Sequence, residues 1–218
     1  MQNEPIRPAQ STQATRIYLC RHGGTTSSDQ DLYAGAIDPE LSDDGVRQVR
    51  ALAARLTHVK FAAAYCSEKV RAARTAREIC QSHGIELVST TALREINHGH
   101  WEGKPRKLVR EQFRPEYKRV SADPISLAPQ GGETGASVLA RAMPALATIA
   151  ADHVGQNVLV VSHTGTNRLL LCALMGIDPR HYRDRIVQDL ACLNIVSYRG
   201  PGEAQVILLN DTSHYKPI

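Results

Sequence analysis

Short runs of apolar residues alternate with amphipathic stretches along most of this chain. Short apolar runs are typical of buried strands, whereas apolar residues that recur every three or four positions are typical of helices packed on a sheet. The predicted strands cover residues 17–20, 61–65, 85–88, 158–161, 193–198 and 206–209. Strands that alternate with helices favour an α/β fold with helices covering a largely parallel sheet.

The helical pattern appears in four stretches between these strands. Ser42 is suited to cap the first helix, and the two aspartates after it complement the positive end of the helix dipole. The other helices are predicted over residues 67–81, 135–153 and 166–174. Pro144 predicts a kink or a break in the third helix, because proline removes one helical hydrogen bond. The last two strands are predicted to form a hairpin around residues 200–202.

The length and the two ends of the chain indicate its domain organisation. With 218 residues, of which 42% are hydrophobic, the chain can bury a full core, and its size suits one domain. Residues 1–14 are polar, contain prolines and show no periodicity, so they are expected to be a disordered tail. The domain is therefore expected to span residues 15–218.

Charge and cysteine content limit the classes of partner and compartment. The formal net charge is +4, but acidic residues are spread among the basic ones, so no nucleic-acid partner is expected. No apolar run approaches the ~20 residues that a membrane span requires, and no membrane partner is expected. Five cysteines without a C-x-x-C spacing predict reduced thiols, and without an apolar signal region the protein is expected in the cytoplasm. A homodimer is left open.

Residues able to do phosphate chemistry follow two of the predicted strands. Arg21 and His22 come directly after the first strand, with glycines whose backbone N–H groups could be open to an anion. An isolated triplet of this kind is more commonly a simple turn. His163 follows the strand over 158–161 in the same way, and ligands of such sheets bind beyond the carboxyl ends of the strands. The two histidines are expected to face one crevice.

Two further segments add charged groups to this picture. Arg71 falls in the first turn of a predicted helix, where a positive charge opposes the helix dipole unless an anion binds there. It could equally reach solvent or pair with Glu68. Glu95 lies with Trp101 and Glu102 in a glycine-bounded loop, which could position a proton donor beside a leaving oxygen. Such glutamates are ordinarily just solvated.

Taken in order, these segments resemble the motifs of the histidine phosphatase superfamily, which includes the phosphoglycerate mutases. The matching segments are Arg21-His22-Gly23 with Thr25, residues 67–76, Glu95 with Gly99-x-Trp101-Glu102-Gly103, Gly132-Glu133-Thr134, Ser162-His163-x-Gly165 and residues 210–214. The resemblance covers about residues 16–214. It implies a three-layer α/β/α sandwich, consistent with a mostly parallel central sheet and a C-terminal hairpin.

The resemblance also implies a role for each matching residue. His22 attacks phosphorus and is phosphorylated, and water later hydrolyses the phosphohistidine. Glu95 protonates the leaving oxygen and then accepts a proton from the water. No metal ion and no cofactor take part. The residues expected around the phosphoryl group are Arg21, Ser28, Arg71, His163 as a cationic donor, and Thr164 through its backbone N–H.

Three departures from the family pattern bear on substrate and rate. Gly24 stands where the family commonly has glutamate, Ser28 where many members have asparagine, and Thr164 where a glycine usually follows the second histidine.

The sequence gives less support to three other functions. A zinc hydrolase lacks a supporting H-E-x-x-H spacing. A phosphate-binding module without catalysis would not need His22, Glu95 and His163 together. A phosphoglycerate mutase uses the same phosphohistidine, but the segment between Glu95 and Glu133 is shorter than expected for a mutase. The sequence therefore favours a phosphomonoester hydrolase acting on a small phosphorylated metabolite, with its basic segment at 103–130 over the substrate.

Overall fold

A computed structural model describes residues 13–216 of the chain. Most of the predicted tail, residues 1–12, lies outside the described residues. Gln13 and Ala14 directly precede the first strand.

The described residues form a mixed sheet of six strands. These are β1 (Thr15–Arg21), β2 (Phe61–Ser67), β3 (Leu87–Thr90), β4 (Asn157–Ser162), β5 (Leu193–Tyr198) and β6 (Ala204–Asp211). Their order is β3-β2-β4-β1-β5-β6. The first four in this order pair in parallel, whereas β5 runs antiparallel to both of its neighbours. The predicted mostly parallel sheet with a C-terminal hairpin is confirmed.

Helices fill the connections between the strands. They are α1 (Thr26–Asp29), α2 (Asp43–Leu56), α3 (Val70–Cys80), α4 (Arg106–Gln112), α5 (Arg114–Ala122), α6 (Gly135–Asp152), α7 (Thr164–Met175) and α8 (Tyr182–Arg185). Short 3-10 turns lie at Thr91–Leu93, Gly99–Trp101 and Pro179–His181. Within residues 13–216, none of the helices has the length and apolar character needed to span a membrane.

Helices cover both faces of the sheet because the side chains of β1 alternate between them. Leu19 packs in a cluster with Leu146 of α6 and Leu169 of α7. Cys20, the next residue, packs in a second cluster with Leu52 of α2 and the helix α3. This period of two is the geometry of a strand buried on both sides. The predicted α/β/α layering follows from it.

Pro144 does not split the third predicted helix, so the predicted break is wrong. Helix α6 runs through Pro144 without interruption. Both Pro144 and Ala140, whose carbonyl loses its partner, are exposed, so water can satisfy that carbonyl. The opposite face of the helix is anchored by Val138 and Leu146, which are buried in the core. Packing of that apolar face outweighs the missing hydrogen bond.

Candidate active site

The pairing of β1 with β4 brings the two predicted histidines together. Arg21, the last residue of β1, is paired in register with Ser162, the last residue of β4. The next residue on each strand is a histidine, and the ring centroids of His22 and His163 lie 5.1 Å apart. The parallel register therefore places both histidines at one edge of the sheet. They were expected to face one crevice, but of the two only His22 lines the cavity at this edge.

A cavity of about 260 Å³ opens at this edge of the sheet. The predicted residues that line it are Arg21, His22, Ser28, Arg71, Glu95 and Thr164. Its other lining residues are Thr25, Asp31, Leu32, Ala34, His98, Arg106 and Leu190. His163 is fully buried and does not line the cavity. Its ring packs edge-on against the ring of His22, which does line it.

One ring nitrogen of His22 is committed to the backbone. Nδ1 lies 2.7 Å from the carbonyl oxygen of Gly23. Because a carbonyl only accepts hydrogen bonds, Nδ1 carries the proton and Nε2 keeps a lone pair. Burial holds the pKa of His22 well below its ordinary value, and the guanidinium groups of Arg71 and Arg21 lower it further. The imidazole is therefore neutral at physiological pH and keeps a lone pair on Nε2.

The glycines after His22 do not leave their N–H groups open, contrary to the prediction. The Gly23 N–H donates to Thr75 Oγ1 at 3.2 Å, and the Gly24 N–H donates to Gln48 Oε1 at 3.0 Å. Gly23 is required by packing, because a Cβ there would lie 2.6 Å from Val49 Cγ2. The loop is thus fixed against helices α2 and α3, and these two N–H groups are already paired.

His163 is a fully buried imidazole beside His22. It is the N-cap residue of α7 but makes no side-chain capping bond, and neither ring nitrogen has a partner among residues 13–216. Burial, Arg71, His22 and Arg21 hold its pKa well below the ordinary value. Within these surroundings His163 is neutral, so the predicted cationic donor requires the negative charge of a bound phosphoryl group.

Arg71 is almost fully buried and does not pair with Glu68. Its Nη1 donates to the Ile37 carbonyl at 3.0 Å and to Asp38 Oδ1 at 3.2 Å, and its Nη2 donates to the Ala34 carbonyl at 3.0 Å. Asp38 also accepts the Val70 N–H at 3.0 Å. The anion expected to balance the start of this helix is thus the protein's own Asp38.

Arg21 reaches the cavity from the end of β1. Its Nη1 donates to the Gln188 carbonyl at 2.7 Å, while its buried Nε has no partner within the described chain. Burial lowers the pKa of Arg21 to about 10, so it stays cationic at neutral pH. A buried donor without a partner costs about 1–3 kcal/mol, which an acceptor from a ligand would recover.

Glu95 is held against the start of helix α7. Its carboxylate accepts the Gly165 N–H at 2.9 Å, the Thr166 N–H at 3.1 Å and the Ile96 N–H at 2.9 Å. A Cβ at residue 165 would lie 2.7 Å from Glu95 Oε1, so glycine is needed there. Thr164, one residue earlier, begins the helix, where backbone N–H groups have no helical partner.

Ser28 is tied into the cap of the short helix α1. Its Oγ accepts the Thr25 N–H at 3.3 Å, and its own N–H donates to Thr25 Oγ1 at 3.1 Å. Ser28 is among the residues that line the cavity, and its hydroxyl is held by this capping box.

Glu102 is a site residue whose role the sequence did not reveal. Its carboxylate accepts the backbone N–H groups of Gly35 at 3.0 Å, Ala36 at 3.0 Å and His98 at 2.8 Å. The carbonyls of Gly35 and Ile37, in the same turn, accept hydrogen bonds from Arg71. Glu102 therefore positions the loop that holds Arg71.

A second cavity of about 210 Å³ adjoins the first, and much of its lining was not predicted. The two cavities share Glu95, His98, Arg106 and Thr164. The second is also lined by Tyr33, Ile96, Tyr117, Gly165, Arg168, Tyr182 and Arg183. Arg168 lies one helical turn after Thr164, a spacing that could have revealed it. Arg183 lies on α8, a four-residue helix with no detectable periodicity.

No group of three or more His, Cys, Asp or Glu side chains within residues 13–216 is arranged to hold a metal ion.

Comparison with known proteins identifies similar chains and folds. The model of the histidine phosphatase superfamily (branch 1) matches residues 17–212. Phosphoserine phosphatase 1 of Hydrogenobacter thermophilus is 34% identical over 163 residues, which cover 75% of this chain and 77% of that protein. The 2,3-bisphosphoglycerate-dependent phosphoglycerate mutase of Bartonella tribocorum is 31% identical over 182 residues, covering 80% of this chain and 87% of the mutase.

A solved structure has the same architecture over nearly the whole chain. Bacillus stearothermophilus YhfR superposes with a TM-score of 0.87 at 30% identity, covering 93% of this chain and 100% of that one. Some mycobacterial relatives are longer, and this chain spans only 55% of their length.

Proposed function

Because the chain belongs to the histidine phosphatase superfamily, we propose that it is a metal-independent phosphomonoester hydrolase acting on a small phosphorylated metabolite through a phosphohistidine at His22. The observation that carries this proposal is the state of His22, whose Nδ1 donates to the Gly23 carbonyl at 2.7 Å and leaves Nε2 free to attack. The similar phosphoserine phosphatase adds support for hydrolysis.

The first half-reaction transfers the phosphoryl group to the enzyme. The Nε2 lone pair of His22 forms a bond to phosphorus while the bond from phosphorus to the ester oxygen breaks. Arg21 and Arg71 bind the phosphoryl oxygens with their guanidinium groups, and the Ser28 hydroxyl and the Thr164 N–H add neutral donors. Glu95 gives its proton to the departing alkoxide.

The second half-reaction restores the enzyme. A water molecule attacks phosphorus as Glu95 accepts its proton, and the bond between phosphorus and Nε2 breaks to release inorganic phosphate. The charge of the bound phosphoryl group favours protonated His163, whose positive charge, on a ring 5.1 Å from that of His22, then stabilises the phosphohistidine. The cations of the pocket supply the charge stabilisation for which other phosphatases use metal ions.

A phosphoglycerate mutase is the second candidate function, favoured by the similarity to the Bartonella enzyme. It would return the phosphoryl group from His22 to a substrate oxygen rather than to water. The two functions differ in product and in the lifetime of the phosphoenzyme, so one experiment separates them.

The test follows labelled phosphate through the enzyme in excess EDTA. Radiolabelled p-nitrophenyl phosphate is mixed with enzyme and quenched in alkali, in which phosphohistidine is comparatively stable. We expect transient label on the peptide containing His22 and inorganic phosphate as the final product. His22→Ala should lose both, with turnover lower by about a thousandfold or more. The matched variant His58→Ala, at an exposed histidine, should retain both.

Three outcomes contradict the proposal. Turnover by His22→Ala above about 10% of wild type would remove the nucleophile from the mechanism. Activity lost in EDTA and restored by zinc or magnesium would overturn metal independence. Interconversion of the two phosphoglycerates as the dominant reaction, with little phosphate released, would make the protein a mutase.

A further inference from the structure

The lining of the second cavity is rich in positive charge. Arg106, Arg168 and Arg183 reach it from α4, α7 and α8. Glu95 is the one acidic residue of the described chain that lines it, and its carboxylate is bound to the start of α7. His98 adds no charge, because burial lowers its pKa to about 3. Three guanidinium groups thus share one small space.

Arg168 lines the second cavity and carries a buried guanidinium nitrogen. Its Nε is buried and makes no hydrogen bond within residues 13–216. Buried N–H groups are nearly always paired, so an exception at the wall of a cavity indicates a missing acceptor. Burial lowers the pKa of Arg168; the charge of Glu95 opposes this shift, and repulsion by the charges of Arg106 and Arg183 adds to it. An anion between them would relieve this repulsion and accept the free N–H.

The other two arginines are held in place mainly by aromatic rings. The Arg106 guanidinium lies over the Tyr33 ring, 4.5 Å from its centroid. The Arg183 guanidinium lies 5.3 Å from the Tyr182 centroid, and its Nε donates to the Tyr182 hydroxyl at 2.9 Å. Stacking orients a guanidinium without using up its charge. Arg106 also pairs with Asp31 at 3.2 Å, but both side chains are about half exposed or more, so solvent weakens that pair.

The position of this cavity assigns it to the leaving group. The second cavity shares Glu95 with the first cavity, where the phosphoryl group is proposed to bind. In the proposed function Glu95 protonates the leaving oxygen. We propose that the cavity binds an anionic group, a carboxylate or a second phosphate, carried by the alcohol part of the substrate, with Arg168 and Arg183 as its principal donors. This inference rests on the proposed function and narrows its substrate to phosphate esters of anionic alcohols.

Matched substrate pairs test the inference. Phosphoglycerate and glycerol phosphate differ in a carboxylate against a hydroxymethyl group. Propanediol bisphosphate and propanediol monophosphate differ in the second phosphate. For each pair the measured quantity is the ratio of kcat/KM, anionic over neutral. We expect a ratio of about tenfold or more in the wild-type protein for at least one pair, which identifies the anion.

Variants then assign the preference to the cavity. Arg168→Met and Arg183→Met keep most of the side-chain volume and remove the charge, and each should bring the ratio towards one. Arg185 is exposed on α8, the helix of Arg183, and lines neither cavity. Arg185→Met should therefore keep the wild-type ratio. Thermal melting of each variant separates a lost preference from a lost fold.

The outcomes separate this inference from the function on which it rests. Wild-type ratios near one for both pairs, with p-nitrophenyl phosphate still hydrolysed, would overturn the anionic leaving group and leave the phosphatase intact. A high ratio that both cavity variants keep would overturn the assignment to Arg168 and Arg183. No hydrolysis of any ester, including p-nitrophenyl phosphate, would overturn the proposed function itself.

Discussion

At the scale of single residues, the proposed proton donor makes a testable difference between substrates. Glu95→Gln keeps the size of the side chain but cannot protonate an alkoxide. We expect esters of alkyl alcohols to be slowed by about a hundredfold or more, because an alkoxide departs poorly without a proton. Aryl esters with good leaving groups should slow by less than about tenfold. Steady-state kinetics with glycerol phosphate and p-nitrophenyl phosphate measure both effects.

The comparison contains its own control for structural damage. The amide also replaces one of two carboxylate oxygens that each accept a backbone N–H, Oε2 from Gly165 and Oε1 from Thr166, so the variant could distort the site as a whole. A distorted site would slow both classes of ester by the same factor. Equal slowing therefore contradicts the role of Glu95 as proton donor.

At the scale of elements, Glu102 connects the loop at 98–102 to the turn that holds Arg71. Glu102→Gln replaces one acceptor oxygen with a donor group, which opposes the N–H groups of Gly35 and Ala36. We expect weaker inhibition by the phosphate analogue vanadate, by about tenfold, and a loss of about 2 kcal/mol in the free energy of unfolding. Titration with vanadate and denaturant unfolding measure these two quantities.

Glu111→Gln is the matched control for this element, because Glu111 is exposed on α4. It should change neither quantity. If Glu102→Gln unfolds more easily but binds vanadate as the wild-type protein does, Glu102 stabilises the loop without positioning Arg71.

The same elements show which parts of the site the sequence could predict. Arg21, His22 and His163 were predictable because they lie at or just after strand ends, and the register of a parallel pair fixes where strand ends meet. The interaction of Arg71 with the turn at 34–38 was not, since it joins residues more than 30 positions apart. The open glycine N–H groups were predicted wrongly, because their partners, Thr75 and Gln48, come from helices packed by tertiary contacts.

At the scale of the whole molecule, the layered fold followed from alternating strands and helices, whereas the small helices did not. Helices α4 and α5 carry many charges and few apolar residues, so their sequence has little periodicity. They are anchored by a third cluster, in which Val109 and Val120 pack with Tyr33 and Trp101. This cluster gathers residues distant in the chain, and through it the basic segment at 103–130 lines the second cavity with Arg106 and Tyr117.

The neutral histidines around the site have a consequence for the acid stability of the protein. The folded state holds the pKa of His22 and His163 well below the ordinary value and that of His98 at about 3. In the unfolded chain each would titrate near pH 6.5. As the pH falls below that value, these histidines become protonated in the unfolded state but remain neutral in the folded state. Each histidine then lowers the free energy of unfolding by up to about 1.4 kcal/mol per pH unit.

We therefore expect the free energy of unfolding to decrease in mild acid, because unfolding is accompanied by proton uptake at these histidines. Denaturant unfolding between about pH 6.5 and about pH 5.5 measures the slope before most carboxylates titrate. His163→Gln should reduce the slope, and His58→Gln, at an exposed site, should not. A free energy of unfolding that is constant across this interval would show that the buried histidines are already protonated in the fold. The arrangement that keeps a nucleophile ready at neutral pH would thus set the acid limit of the folded state.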